Sequence, residues 1–292
     1  MFEENERMEY VEFGDTGERV SRLGFGGAPA GLENYLDEYD PGDPRARREV
    51  VEAIRRALEL GVNYFDTAPG YGDGTSEELF GEALADEDED DVFVATKVDL
   101  GDRDHVRSSV EASLDRLRRD RIDLLQVHGS SYSPAEVETV LEGGTLAEME
   151  ALREEGKVGY LGFTSEDNNP AVYDLLDRGT FDALQLNYNL IFQHPYVPDR
   201  PFGTLFEAED RGLGTVTMRT TTSGIFQSWV EEVNPDNEFD YTPALIQFVL
   251  SNPLVDVALV GMRTAEIVEE NVEIVADESG RVDIDDLFER YV

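Results

Sequence analysis

Eight times along the chain, a short run of β-favouring residues gives way to a segment with helical hydrophobic spacing. The β runs are Leu23 to Gly26, Val62 to Asp66, Val92 to Lys97, Leu124 to Val127, Val158 to Phe163, Phe181 to Leu186, Gly214 to Met218 and Val255 to Val260. Between them apolar residues recur three and four apart, as at Val50, Val51, Ile54, Ala57 and Leu58. Eight such strand–helix units predict a parallel sheet closed into an α/β, (β/α)8 TIM barrel. Tyr10 to Phe13 and Arg19 to Ser21, either side of Asp15-Thr16-Gly17, predict an N-terminal β-hairpin ahead of it. One barrel of this kind accommodates residues 1–292 as a single domain. Thr75 to Glu78 and Thr145 to Glu148 read as capping boxes that open two of the helices. The tail, 277–292, is expected to end in a short amphipathic helix.

The connections differ by end. Helix-to-strand turns are tight, at Gly61, Asp120-Arg121, Gly156-Lys157 and Gly212, whereas strand-to-helix stretches 28–44, 129–144, 187–201 and 219–242 are long. Long loops gathered at the C-terminal ends of barrel strands build the functional face. Asp66, Lys97 and His128 all fall there, at even intervals of 31 residues, and Tyr71 follows Asp66 in the turn after Pro69-Gly70.

A phenol is a weak acid at neutral pH, with a pKa of about 10. A neighbouring cation stabilises its phenolate and eases release of the proton. Lys97 can supply that charge, Asp66 can orient and neutralise Lys97, and His128 can hold a carbonyl oxygen beside Tyr71. Taken singly, each residue has a plainer explanation: loop packing for the tyrosine, a turn for the aspartate, a structural hydrogen bond for the histidine. Those explanations would have to hold together at three successive strand ends. Lys97 is the hardest to explain away, because Lys97 and Lys157 are the only lysines.

Charge bounds the rest. Lys+Arg number 24 against 65 Asp+Glu, for a net charge of −41. With no basic patch in view, nucleic acid and anionic membranes are excluded as partners. A 40% hydrophobic content is too high for an acidic disordered chain, so the charge belongs on a folded surface. An acidic surface nearly free of lysine resembles proteins of salt-loving organisms, in which a Debye length of about 3 Å at 1 M salt screens self-repulsion. No cysteine occurs, and no leader or 18-residue apolar run stands out, which predicts a soluble cytoplasmic protein without disulfides. His105 and His194 lack a nearby ligand pattern, so no metal site is expected. Gly24-Phe25-Gly26-Gly27 lacks the third spaced glycine of a dinucleotide fingerprint. Trp229 suits either a substrate pocket or packing.

The motifs Phe-Asp-Thr-Ala-Pro-Gly-Tyr-Gly (65–72), Ala-Thr-Lys (95–97), Gln-Val-His-Gly (126–129), Leu-Gly-Phe-Thr-Ser (161–165) and Gln-Leu-Asn-Tyr-Asn (185–189) occur in that order. With Glu270-Asn271, they give the chain a resemblance over nearly its whole length to the aldo-keto reductase superfamily. The resemblance implies NAD(P)H-dependent reduction of an aldehyde or ketone, with Asp66, Tyr71, Lys97 and His128 as catalytic tetrad and Tyr71 as general acid. It implies that Thr164, Ser165 and Gln185 bind the nicotinamide carboxamide and that Arg219 reaches the pyrophosphate. Gly26, Gly27, Asp66, Met218, Thr220, Gly261, Arg263, Glu270 and Asn271 complete the implied cofactor set. Many members carry an aromatic residue and then Ser-Pro-Leu after strand 7, where this chain has Met218-Arg219-Thr220-Thr221, nearer to a subgroup with Met-Lys-Pro-Leu. The usual Lys-Ser and downstream Arg after strand 8 are replaced by Gly261-Met262 and Ile267. Arg263 is then the nearby cation for a 2′-phosphate, and the expectation is NADP(H) over NAD(H). Two other functions fit the sequence: a cofactor-binding regulatory subunit with slow turnover, and a non-redox barrel enzyme forming a Schiff base at Lys97.

Overall fold

The structure is a computed structural model that describes residues 5–35, 38–196, 203–284 and 286–287. Two antiparallel strands, β1 (Tyr10–Glu12) and β2 (Arg19–Ser21), form the expected hairpin. Eight parallel strands follow: β3 (Leu23–Gly26), β4 (Tyr64–Asp66), β5 (Phe93–Val98), β6 (Ile122–Val127), β7 (Val158–Ser165), β8 (Ala183–Asn187), β9 (Gly214–Met218) and β10 (Val257–Val260). Each pairs with its neighbour in sequence, and β10 closes on β3 to complete the (β/α)8 barrel.

Every residue of β5 and β6 is buried, as both faces of a barrel strand require. Side chains alternate between the outside, where they meet the helices, and the barrel interior. Phe65, Val94 and Leu125 belong to the outer core, while Tyr64, Phe93, Ala95 and Leu124 belong to the inner one. Asp66 therefore shares the interior with Tyr64, and Lys97 shares it with Phe93 and Ala95. The register pairs Asp66 with Ala95 and Lys97 with Gln126, so the polar residues stack toward the C-terminal end of an apolar interior.

The N-terminal end of the interior is filled by rings. Tyr64 and Phe93 stack with centroids 5.2 Å apart, Phe93 and Tyr160 lie 6.3 Å apart, and Phe13 from the hairpin meets Phe93 edge-on at 5.4 Å. The hairpin turn is tied down by Asp15 N–H to Gly212 O, 2.8 Å, and by the Tyr160 hydroxyl to Thr16 O, 3.1 Å. Gly14, with φ 50°, touches β9 so closely that an added Cβ would lie 2.3 Å from Gly214 N.

Neither expected capping box forms. The helices Thr75–Ala83 and Thr145–Glu154 are capped by Gly74 and Gly144, at φ 92° and 111°, one residue before each threonine. The Thr75 hydroxyl donates to Gly72 O and the Thr145 hydroxyl to Gly101 O. A capping box does form at Ser133–Glu136, opening the helix Pro134–Glu142 within a stretch read from sequence as loop. The long stretch after β9 likewise contains a helix, Ile225–Val233. The terminal helix expected in the tail falls largely outside the described residues. No helix among the described residues is long and apolar enough to cross a membrane.

Candidate active site

The turn after β4 carries Tyr71, and two glycines fix its path. Gly31, which ends the short helix Ala28–Gly31 after β3, packs so closely that a Cβ there would lie 2.3 Å from Tyr71 O. Gly72, at φ 71°, would place a Cβ 2.1 Å from Gly31 O. Only glycine permits this backbone contact, and it aims the Tyr71 ring over the barrel mouth. Beneath it, Lys97 is 1% exposed and its ammonium makes three hydrogen bonds: to Asp66 Oδ1 (2.7 Å), Asp66 Oδ2 (2.8 Å) and Thr67 O (2.8 Å). Lys97 Nζ lies 5.0 Å from the centre of the Tyr71 ring. The His128 ring meets Tyr71 edge-on, with centroids 5.9 Å apart. The four residues spaced along the sequence thus come together around one cavity of about 400 Å³.

Electrostatics sets their protonation. Burial works against the Lys97 charge, but the Asp66 carboxylate and the Tyr71 phenol outweigh it and hold the ammonium above its ordinary value. Burial raises Tyr71 above its ordinary value, and the Lys97 charge pulls it back. His128 is pushed down to about 4 by burial and then by Lys97, so its imidazole is neutral at pH 7. The arrangement can offer a protonated phenol, a fixed positive charge and a neutral imidazole to one oxygen atom.

Other expected residues are distributed more widely. Gly26, Thr164, Gln185, Met218, Arg219, Thr220 and Gly261 line the same cavity. Ser165 and Gly27 do not line it. The Ser165 hydroxyl donates to Asp167 O at 2.8 Å, and Gly27 N–H donates to Asp66 O at 2.7 Å. The Thr164 hydroxyl is also engaged, donating to Gly129 O at 2.7 Å. Glu270 and Asn271 line a second cavity of about 1030 Å³, which shares Thr221, Ser223, Val260 and Gly261 with the first. Arg263, expected at a 2′-phosphate, lines neither cavity; its guanidinium lies 4.3 Å from the centre of the Tyr39 ring. Trp229 is 55% exposed and lines neither.

Two site residues went unread in the sequence. Gln126 donates to Gln185 Oε1 at 2.9 Å and to Asp66 Oδ2 at 3.3 Å, which braces the carboxylate. It lies two residues before His128, the spacing that puts both on one strand face. Glu166 lines the first cavity and pairs with Arg219 at 2.8 Å. The segment that supplies Arg219 is strained: Arg219, Thr222 and Ser223 have φ of 59°, 60° and 51°. Nearby, Thr220 Oγ1 is buried without a hydrogen-bond partner, as is Gln227 Oε1 on the wall of the second cavity. Buried polar atoms of this kind call for a ligand or solvent to satisfy them. Two joined cavities with such atoms along their walls fit an extended dinucleotide.

The fold is a TIM barrel with a candidate site at the C-terminal mouth of its strands. Residues 22–286 match the model of the Aldo/keto reductase family, and the chain belongs to that family. It is 29% identical to L-galactose dehydrogenase of Arabidopsis thaliana, over 93% of this chain and 89% of that one. It is 30% identical to the NADH-specific methylglyoxal reductase of Escherichia coli, over 63% of this chain and 60% of that one. In fold it is similar to an aldo-keto reductase from Klebsiella pneumoniae in complex with NADPH, with a TM-score of 0.72 and 22% identity over 97% and 93% of the two chains. The protein is an NAD(P)-dependent oxidoreductase.

Proposed function

We propose that the protein reduces an aldehyde or ketone to an alcohol, with Tyr71 as the proton donor. A reduced nicotinamide, when bound, would supply the hydride that the carbonyl carbon needs. As charge develops on the carbonyl oxygen, Tyr71 delivers its hydroxyl proton there and is left as a phenolate. Lys97 stabilises that phenolate, and Asp66, braced by Gln126, keeps Lys97 in place. Neutral His128 donates a hydrogen bond that positions the carbonyl oxygen against Tyr71. The observation that carries this reading is the buried Lys97 ammonium, held by both oxygens of Asp66 beneath the Tyr71 ring. The same observation weighs against a Schiff base at Lys97. A nucleophilic amine needs a free lone pair, and here three acceptors hold the ammonium protonated. The preference for NADP(H) expected from Arg263 has no support in the position of that guanidinium.

The test is a panel of aldehydes and ketones assayed with both reduced cofactors in molar KCl, for wild type and Tyr71→Phe. Tyr71→Phe should lower kcat by about 10²- to 10⁴-fold while cofactor affinity stays within about twofold. Activity within threefold of wild type would remove Tyr71 from the role.

A further inference from the structure

The second cavity has an electrostatic character that the first lacks. Its wall includes Asp240, Glu270, Glu273 and Asp277, and among the described residues that line it there is no lysine, arginine or histidine. The first cavity, by contrast, balances Asp66 against Lys97 and Glu166 against Arg219. A dinucleotide that presents its reactive ring at Tyr71 has its other nucleotide some way along the cleft. The contiguous space is this second, acidic cavity.

We infer that the adenosine end of the cofactor site is built to take an unphosphorylated ribose, so that the protein uses NAD(H) and discriminates against NADP(H). The inference rests on the oxidoreductase reading and deepens it. A 2′-phosphate would bring a charge of roughly −1.5 to −2 among four carboxylates. A ribose 2′-hydroxyl would instead donate a hydrogen bond to a carboxylate, the recognition that acidic residues provide in dinucleotide-binding folds of other classes.

The nearby cations do not reverse this. Arg263 is stacked on Tyr39, whose hydroxyl is in turn bonded to Ala30 O at 2.9 Å, on the side of the loop after β3. Arg56 is engaged with Glu59 at 2.9 Å and Glu269 at 2.8 Å. The helix Ala265–Ala276 begins beside Gly261, but Thr264 already caps it and Glu266, Glu269 and Glu270 occupy its first two turns. Those carboxylates take up the positive end that would otherwise attract a phosphate.

The experiment is calorimetric titration of the full chain with NADH, NADPH, 5′-AMP and 2′,5′-ADP, at low and at molar KCl, with Ile267→Arg alongside. Ile267 is exposed on the helix and lines the acidic cavity, so an arginine there introduces a cation without disturbing the core. NADH should bind at least tenfold more tightly than NADPH at low salt, and 5′-AMP more tightly than 2′,5′-ADP. The gap should narrow as KCl screens the carboxylates. Ile267→Arg should move the NADPH-to-NADH affinity ratio toward NADPH by at least tenfold. NADPH bound as tightly as NADH, or more tightly, overturns this inference and leaves the oxidoreductase reading standing. A gap indifferent to both KCl and Ile267→Arg overturns the electrostatic cause. Failure of both dinucleotides to bind overturns the oxidoreductase reading itself, and this inference with it.

Discussion

The Arg219 guanidinium, rising from the end of β9, meets the Glu166 carboxylate beyond the end of β7 at 2.8 Å. It crosses the intervening strand β8, and Asn189, two residues beyond the end of that strand, donates to Arg219 O at 3.1 Å. The left-handed backbone at Arg219 is thus held from one side while its side chain is held from the other. A dinucleotide pyrophosphate would compete with Glu166 for the same guanidinium. Arg219→Ala should weaken NADH and NADPH equally, by about tenfold, in line with a charged hydrogen bond of about 1.5 kcal/mol. Glu166→Gln should tighten both by a few-fold. Titration of both cofactors decides it; unequal losses would place Arg219 away from the part the two cofactors share.

Lys97 and Asp66 form a buried pair in which neither charge has another full partner. Removing one should leave the other stranded. Lys97→Met should abolish reduction and cost about 3–5 kcal/mol of stability. Adding Asp66→Asn should recover more than half of that stability and none of the activity. Urea unfolding read beside the reductase assay separates the two effects. A single mutant as stable as wild type would mean that the pair is not buried as described.

The protonation states set a pH profile. His128 stays neutral above about pH 4 and Tyr71 keeps its proton past the ordinary tyrosine range. The kcat/KM for reduction should therefore be level across neutral pH and fall only toward pH 4 and beyond the ordinary tyrosine range. Stability has its own sign. The unfolded chain protonates His128 near its ordinary value while the folded protein resists until about pH 4, so stability is lost as pH falls through that window. His128→Asn should flatten this part of the dependence of stability on pH. An activity limb near pH 6.5 would show that the histidine titrates normally.

A net charge of −41 repels itself more strongly in the compact state than in the unfolded one. The melting temperature should rise from low salt into molar KCl. A flat or falling trend would contradict the reading of the surface as adapted to salt.

The barrel was legible because β-favouring runs and helical hydrophobic spacing are both set over short stretches of chain. Asp66, Lys97 and His128 were legible because a strand's end is also the site's floor. What escaped the sequence depends on finer placement. The threonine–glutamate spacing at Thr75 and Thr145 has the form of a capping box, but a left-handed glycine precedes each threonine and takes the cap position. No spacing rule separates a cap from the residue after it. Ser133 caps a helix inside a stretch whose polar composition had suggested loop. Glu166 escaped because its partner Arg219 lies 53 residues away and two strands over. Arg263 was expected at a 2′-phosphate, and no spacing in the sequence shows that its guanidinium lies over the ring of Tyr39.

The N-terminal hairpin has a consequence for traffic. With Phe13 wedged among Tyr64 and Phe93, and Gly14 and Asp15 tied to β9 and its approach, the barrel is a vessel with a stopper in its base. Everything that visits Tyr71 must enter and leave by the same opening. With the base closed, a molecule lying between Tyr71 and the mouth would block the way out for any other seated beneath it.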